Sequence, residues 1–180
     1  MSEQSALENS FSLPIKLIFT DLDGSLLDHH SYSFKPAVAM LEQLESKGIP
    51  VIPITSKTMA ELVPLRKKLN NHHPFIVENG AAIYIPHGYF LKQPENAKSD
   101  GDFWIIKNAA SRKTWLKLLH SDTDEFTDEY QTFDSIFQEH GVEGIAELTG
   151  LDSKMAELAN KRNYSEPVHW TGTAARKKLF

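Results

Sequence analysis

Apolar positions in the first half of the chain come in short blocks, separated by stretches in which apolar residues recur with helical spacing. Residues 15–20 (Ile-Lys-Leu-Ile-Phe-Thr) form the first block and stop at Asp21. A run of this kind predicts a strand buried on both faces of a parallel sheet. Pro36 then opens a helical pattern through Val38, Leu41, Leu44 and Glu45, with Gly48 placed to cap its end. Residues 49–54 predict a second strand, made imperfect by Pro50 and Pro53. Residues 58–69 predict a second helix with Met59, Leu62, Val63, Leu65 and Leu69 on its apolar side, and Pro64 as a kink or first-turn marker. Phe75-Ile76-Val77 is a third strand, Asn79-Gly80 a tight-turn signal, and residues 81–85 a further strand. Strand alternating with helix in this order is the grammar of an α/β doubly wound, Rossmann-like sheet.

From Pro86 onward the texture becomes α+β. Residues 103–106 predict a strand, 111–119, 133–140 and 153–162 predict helices, and Val168-His169-Trp170 predicts a returning strand. The expected organisation is a flexible leader at 1–12, the N-terminal half of an α/β core at 13–85, a smaller α+β module at 86–170, and a short return at 171–180. The acidic stretch 121–129 lacks the glycine and terminal glutamate of a calcium-binding loop and reads as a solvated loop. His72 and His73 precede Pro74 and read as exposed loop residues.

Composition narrows the classes. The chain has 180 residues, 41% apolar and 24% charged, which is ordinary for a packed globular protein. A net charge of -5 argues against a nucleic-acid partner, which wants a basic face, but leaves room for a small anionic substrate in a local pocket. With no cysteine, disulfides and thiolate metal sites are excluded, and a cytoplasmic location is expected. No signal peptide is expected at the N-terminus, and no apolar run approaches the ~20 residues that span a bilayer.

The segment with chemistry in it is 19–27, Phe-Thr-Asp-Leu-Asp-Gly-Ser-Leu-Leu. Asp21 and Asp23 lie where an apolar strand ends, and ligands of open α/β sheets bind at that edge. Asp21 can face a phosphorus atom, Asp23 can reach a leaving-group oxygen, and Gly24 lets the backbone turn close to a ligand. The plainer reading is a polar turn that caps the strand. The motif in this context resembles the first motif of the haloacid-dehalogenase superfamily. That resemblance implies a threonine or serine at the end of the next strand, and Thr55-Ser56-Lys57-Thr58 supplies it. A hydroxyl beside free N–H groups at a helix N-terminus is a phosphate cradle, although Thr55 and Ser56 would also serve as an ordinary cap. Lys57 is either a point charge for that phosphate or a solvated surface lysine. Asn79 matches the Asn-Gly pair of the superfamily's sugar phosphatases, which makes it a candidate for substrate contact, with a hairpin turn as the plainer, structural role.

Within the superfamily, 162–167 (Arg-Asn-Tyr-Ser-Glu-Pro) resembles the Arg-x-x-Ser-Glu-Pro stretch of the mannosyl-3-phosphoglycerate phosphatases. Arg162 offers a fork for a carboxylate or phosphate, or else a charge at a helix end. Ser165 and Glu166 offer groups to sugar hydroxyls. The resemblance implies a core carrying an inserted α+β cap, and a phosphatase in which Asp21 forms an aspartyl-phosphate and Asp23 is the general acid and base. It also implies Mg2+ held by Asp21 and the Asp23 carbonyl. Full members return from the cap with a lysine and a Gly-Asp-x-x-Asn-Asp-type loop, for which Lys177, Lys178 and Gly101-Asp102 do not stand in. The expectation is therefore a truncated member whose strand 15–20 has an open apolar edge. Its activity would be that of the mannosyl-3-phosphoglycerate enzyme, of a broader sugar-phosphate phosphatase, or of an inactive phosphate-binding pseudo-enzyme.

Overall fold

In a computed structural model the described residues are 16–28 and 33–180; the expected leader lies outside them. Three short parallel strands come first: β1 (Ile18–Thr20), β2 (Val51–Pro53) and β3 (Phe75–Val77). β1 and β2 pair with Ile18 opposite Val51 and Thr20 opposite Pro53, and Ile54 bridges Ile76 in parallel. The prolines do not break this pairing because each is used through its carbonyl or bypassed. The Ile18 N–H donates to the Pro50 carbonyl at 2.9 Å, and the Ile54 N–H, next after Pro53, donates to Thr20 at 2.8 Å. Leu17, Ile18 and Phe19 are exposed, at 43%, 37% and 56%, so β1 presents an apolar edge among the described residues.

The helices between these strands start and stop for local reasons. A short turn at Lys35–Ala37, with Pro36 in it, leads into α1 (Val38–Ser46). α1 ends in a glycine-terminated motif: Gly48, at φ +63°, donates to Glu45 and Ile49 donates to Leu44, both at 2.9 Å. α2 (Met59–Lys68) opens on a capping box in which Thr58 accepts from the Glu61 N–H and Glu61 accepts from the Thr58 N–H. Pro64 sits inside α2.

β3 turns back on itself into β4 (Ala82–Pro86), and β5 (Lys98–Asp100) and β6 (Phe103–Lys107) complete an antiparallel sheet ordered β3-β4-β6-β5. Strands on both sides of Pro86 therefore share one sheet. The core gathers beneath it: Leu22, Leu62, Phe75, Val77, Ala82, Tyr84 and Ile105 are all buried. Phe75 stacks on Tyr84 at 5.2 Å and meets the edge of Phe103 at 5.4 Å.

The cap follows with α3 (Arg112–Asp122), β7 (Tyr130–Thr132), α4 (Phe133–Thr149), α5 (Ser153–Asn160), β8 (Val168–Trp170) and α6 (Ala174–Lys177). β8 pairs antiparallel with β7, Tyr130 opposite Trp170, so the strand at 168–170 belongs to a two-stranded ribbon of the cap. α4 runs past the expected stop at His140; Gly141 interrupts it with φ 67° and ψ -153°, and helix resumes beyond. Phe133, Ile136, Ile145 and Ala156 form a second, smaller core between α4 and α5. In the acidic stretch, Glu129 pairs with Arg176 at 2.7 Å. His73 is not the exposed loop residue expected: its ring nitrogens meet Glu45 at 2.7 Å and Tyr89 at 3.1 Å. Among the described residues no helix is long and apolar enough to cross a membrane.

Candidate active site

Parallel pairing brings the ends of β1, β2 and β3 to one edge of the sheet, and the candidate residues follow directly on those ends. Asp21 comes after Thr20, and its Oδ1 accepts from the Leu22 N–H at 2.7 Å. The loop then closes on itself: Leu27 and Ser25 donate to the Leu22 carbonyl at 2.7 and 3.2 Å, and Gly24 donates to Leu27 at 2.9 Å. Leu22 and Leu27 are buried, which anchors the loop, and Gly24 takes φ 72°, a conformation costly for a side chain with a Cβ. Asp23 is thereby turned towards Lys57, with Oδ2 3.0 Å from Nζ. Its Oδ1 is buried and has no hydrogen-bond partner among the described residues.

At the end of β2, Thr55 is buried and donates its N–H to Ile76 at 3.1 Å, while its hydroxyl accepts from the Lys57 N–H at 3.2 Å. Glu78, Asn79 and Gly80, after β3, are three successive residues at positive φ, 49°, 59° and 91°. This turn clamps the neighbouring loop: the Glu78 N–H donates to Lys57 and the Asn79 N–H to Thr55, both at 3.0 Å. Asp21, Thr55, Ser56 and Asn79 consequently line one open cleft.

The cap residues singled out from the sequence reach the same neighbourhood but are engaged by protein partners. Arg162 donates through Nη2 to the Ser56 carbonyl at 2.7 Å and through Nε to the Ser165 hydroxyl at 2.9 Å. Burial pulls its guanidinium pKa below the ordinary value, and the nearby Glu78 carboxylate opposes that shift. Ser165 donates to Glu78 at 2.6 Å. Glu166 is enclosed, paired with Arg112 and accepting from the Asp134 N–H at 2.8 Å at the start of α4. Asn79, Ser165 and Glu166 also line a second open cleft with Asn108, Trp115 and Tyr164.

Two residues that organise this region were not singled out from the sequence. The Glu78 side chain is fully enclosed and collects the N–H groups of Asn163 and Tyr164 as well as the Ser165 hydroxyl. Its one local signal is an acidic residue directly after a buried strand, which the turn reading absorbed. Arg112 binds Glu166 and both the carbonyl and side chain of Asn160. Nothing near it in the sequence marks it, since its partners lie about fifty residues away.

Hard oxygen donors are what a divalent cation such as Mg2+ requires. The Asp21 carboxylate and the Asp23 carbonyl are of that kind, and the unpaired, buried Asp23 oxygen shows a local surplus of acceptors. The donor chemistry fits. Among the described residues no group of three or more His, Cys, Asp or Glu is arranged to hold a metal.

A family model described as haloacid dehalogenase-like hydrolase matches residues 18–163. The chain belongs to this family. A glucosyl-3-phosphoglycerate/mannosyl-3-phosphoglycerate phosphatase of Persephonella marina is 40% identical over 153 residues, covering 84% of this chain and 54% of its own length. A protein of the same name from Methanococcoides burtonii is 40% identical over 150 residues, covering 83% and 54%. A mannosyl-3-phosphoglycerate phosphatase of Pyrococcus furiosus is 35% identical over 167 residues, covering 92% of this chain and 65% of its own. The chain thus spans about half to two thirds of these relatives. A solved phosphatase of the same superfamily from Bacteroides thetaiotaomicron superposes with a TM-score of 0.58 at 16% identity, covering 97% of this chain and 62% of that one. That likeness shows the fold, an α/β core with a cap.

Proposed function

We propose that the chain carries the catalytic edge of a phosphatase acting on a phosphorylated sugar-glycerate, mannosyl-3-phosphoglycerate or its glucosyl counterpart. The observation that carries the reading is the convergence of Asp21, Thr55, Ser56 and Asn79 on one cleft at the ends of parallel strands. The names of the relatives supply the substrate class, and two of them carry both the glucosyl and the mannosyl name.

One Asp21 oxygen is steadied by the Leu22 N–H, and the other attacks phosphorus. The bond to the sugar-glycerate oxygen breaks, and an aspartyl-phosphate forms. Asp23 passes a proton to the departing oxygen as general acid, then takes one from the water that hydrolyses the aspartyl-phosphate. Lys57 holds Asp23 through one oxygen. The Thr55 hydroxyl and the Ser56 backbone, ahead of α2, hold the phosphoryl oxygens. Asp21 and the Asp23 carbonyl would hold Mg2+, which when bound offsets charge on those oxygens. Asn79 sits at the junction of the Asp21 cleft and the second cleft, into which the sugar-glycerate part extends. The work is soluble, small-molecule chemistry, with neither nucleic acid nor membrane as partner.

The test is phosphate release from mannosyl- and glucosyl-3-phosphoglycerate and from a panel of hexose phosphates, with magnesium, by the wild-type chain and Asp21→Asn. Release from the glycerate esters that disappears in Asp21→Asn supports the proposal. Equal release by both proteins excludes Asp21 as the nucleophile. Faster turnover of hexose phosphates moves the assignment to a broader sugar phosphatase.

A further inference from the structure

The loop at Thr55, Ser56 and Lys57 is held from two sides, and both sides lead to Glu78. From the core, the Glu78 and Asn79 N–H groups donate to the carbonyls of Lys57 and Thr55. From the cap, Arg162 donates to the Ser56 carbonyl at 2.7 Å. Arg162 is in turn held by the Ser165 hydroxyl, which donates to Glu78. The same carboxylate accepts from the N–H groups of Asn163 and Tyr164 at 2.9 and 3.0 Å. These contacts close a ring: Glu78 side chain, Ser165, Arg162, Ser56, the 55–57 loop, and the Glu78 backbone.

Two further facts bear on the ring. Glu78 holds φ 49°, a region that residues with a Cβ adopt at a cost and keep only when their surroundings enforce it. Its side chain is fully enclosed and lies 3.9 Å from the Arg162 guanidinium, so the carboxylate is matched by a cation as well as by three donors. Neither Glu78 nor Ser165 lines the Asp21 cleft.

We infer that Glu78 is a positioning residue that transmits the placement of cap residues 162–165 to the 55–57 loop, and so sets phosphate affinity in the Asp21 cleft. This inference rests on the reading of that cleft as the phosphoryl site. The hydrogen bonds of the ring hold the 55–57 loop against both Glu78 and Arg162, and breaking one of them removes one of the loop's two supports. Glu78→Gln keeps the shape but converts one acceptor into a donor, so one of the three groups it collects loses its partner. Ser165→Ala opens the ring at a single hydroxyl.

The experiment titrates the full chain with inorganic phosphate in magnesium by calorimetry and follows amide hydrogen exchange at Glu78 and Asn79. Inorganic phosphate has no sugar-glycerate part, so direct substrate contacts made by residues 162–166 do not enter the reading. Glu78→Gln and Ser165→Ala are each expected to weaken phosphate by about tenfold and to speed exchange at both amides. Asp152→Ala, which removes the N-cap of α5 elsewhere in the cap, is expected to leave phosphate affinity at the wild-type value. If Thr55→Val loses phosphate while Glu78→Gln and Ser165→Ala bind like wild type, the positioning role is overturned and the cleft reading survives. If the wild type binds no phosphate, or Thr55→Val binds it normally, the cleft reading itself fails. Equal weakening by Asp152→Ala would reduce the effect to general loosening of the cap and overturn the inference. Should Glu78→Gln not fold, Ser165→Ala decides by the same criterion.

Discussion

A single hydroxyl, that of Thr58, does two jobs, and removing it should cost more than removing the methyl group beside it. Thr58 is fully buried directly behind the 55–57 loop. Its Oγ accepts from the Glu61 N–H at 3.1 Å, capping α2, and donates to the Leu158 carbonyl of α5 at 2.9 Å. Thr58→Val preserves the shape and removes both bonds. Loss of a helix N-cap costs about 1 kcal/mol, and loss of the bond to a buried carbonyl about 1 kcal/mol more. The sum is about 2 kcal/mol, which for a chain of this size lowers Tm by about 4–8 °C. Thr58→Ser keeps the hydroxyl and loses one methyl group, at about 0.8 kcal/mol. Urea unfolding of the three proteins gives the ordering directly, and hydrogen exchange at the Glu61 amide reports the cap by itself. If Thr58→Val proves no less stable than Thr58→Ser, the hydroxyl is not the element joining α2 to α5, and the reasoning fails.

Other consequences can be checked by the same means. Glu166→Gln leaves the part-buried Arg112 facing a neutral amide and should destabilise by about 1.5–3 kcal/mol in urea unfolding; a loss below about 1 kcal/mol would mean that the pair is exposed in solution. Gly144→Ala places a methyl group 2.6 Å from His140 Cβ and 2.9 Å from Ile136 Cγ2 within α4. Overpacking of that kind costs about 1–3 kcal/mol, whereas an unchanged Tm would show that the helix gives way freely. Gly48→Ala puts a Cβ at φ +63°, where nothing crowds it. The cost should then be conformational alone, about 1 kcal/mol, and a stabilised variant would contradict the glycine-terminated end of α1.

The candidate site was legible in the sequence because its signals are local. Asp21 and Thr55 directly follow short apolar runs that form strands, and parallel pairing brings the ends of those strands together, although the strand before Asp21 is exposed and not buried on both faces as its sequence predicts. The glycine-terminated helix end at Gly48 likewise depends on neighbours no more than four residues away, whereas the N-cap of α2 is Thr58 and not Thr55 or Ser56. The sequence predicts a helix over 133–140, and the structure carries α4 on to Thr149. Ile136 and Ile145, on either side of the break at Gly141, are buried with Ala156 of α5, and burial is a tertiary quantity.

What the side chains of 162–166 do was not legible. Arg162, Ser165 and Glu166 have the chemistry to bind a sugar-glycerate, and nothing in their own segment says whether they face substrate or protein. Their partners are Ser56, Glu78 and Arg112, between 54 and 106 residues away. The sequence by itself determined at which strand ends the candidate residues sit, because a short apolar run is a local signal of a strand. Only the tertiary structure decided which polar groups satisfy one another. That pairing is a global requirement: every buried charge must find its partner wherever the fold brings one.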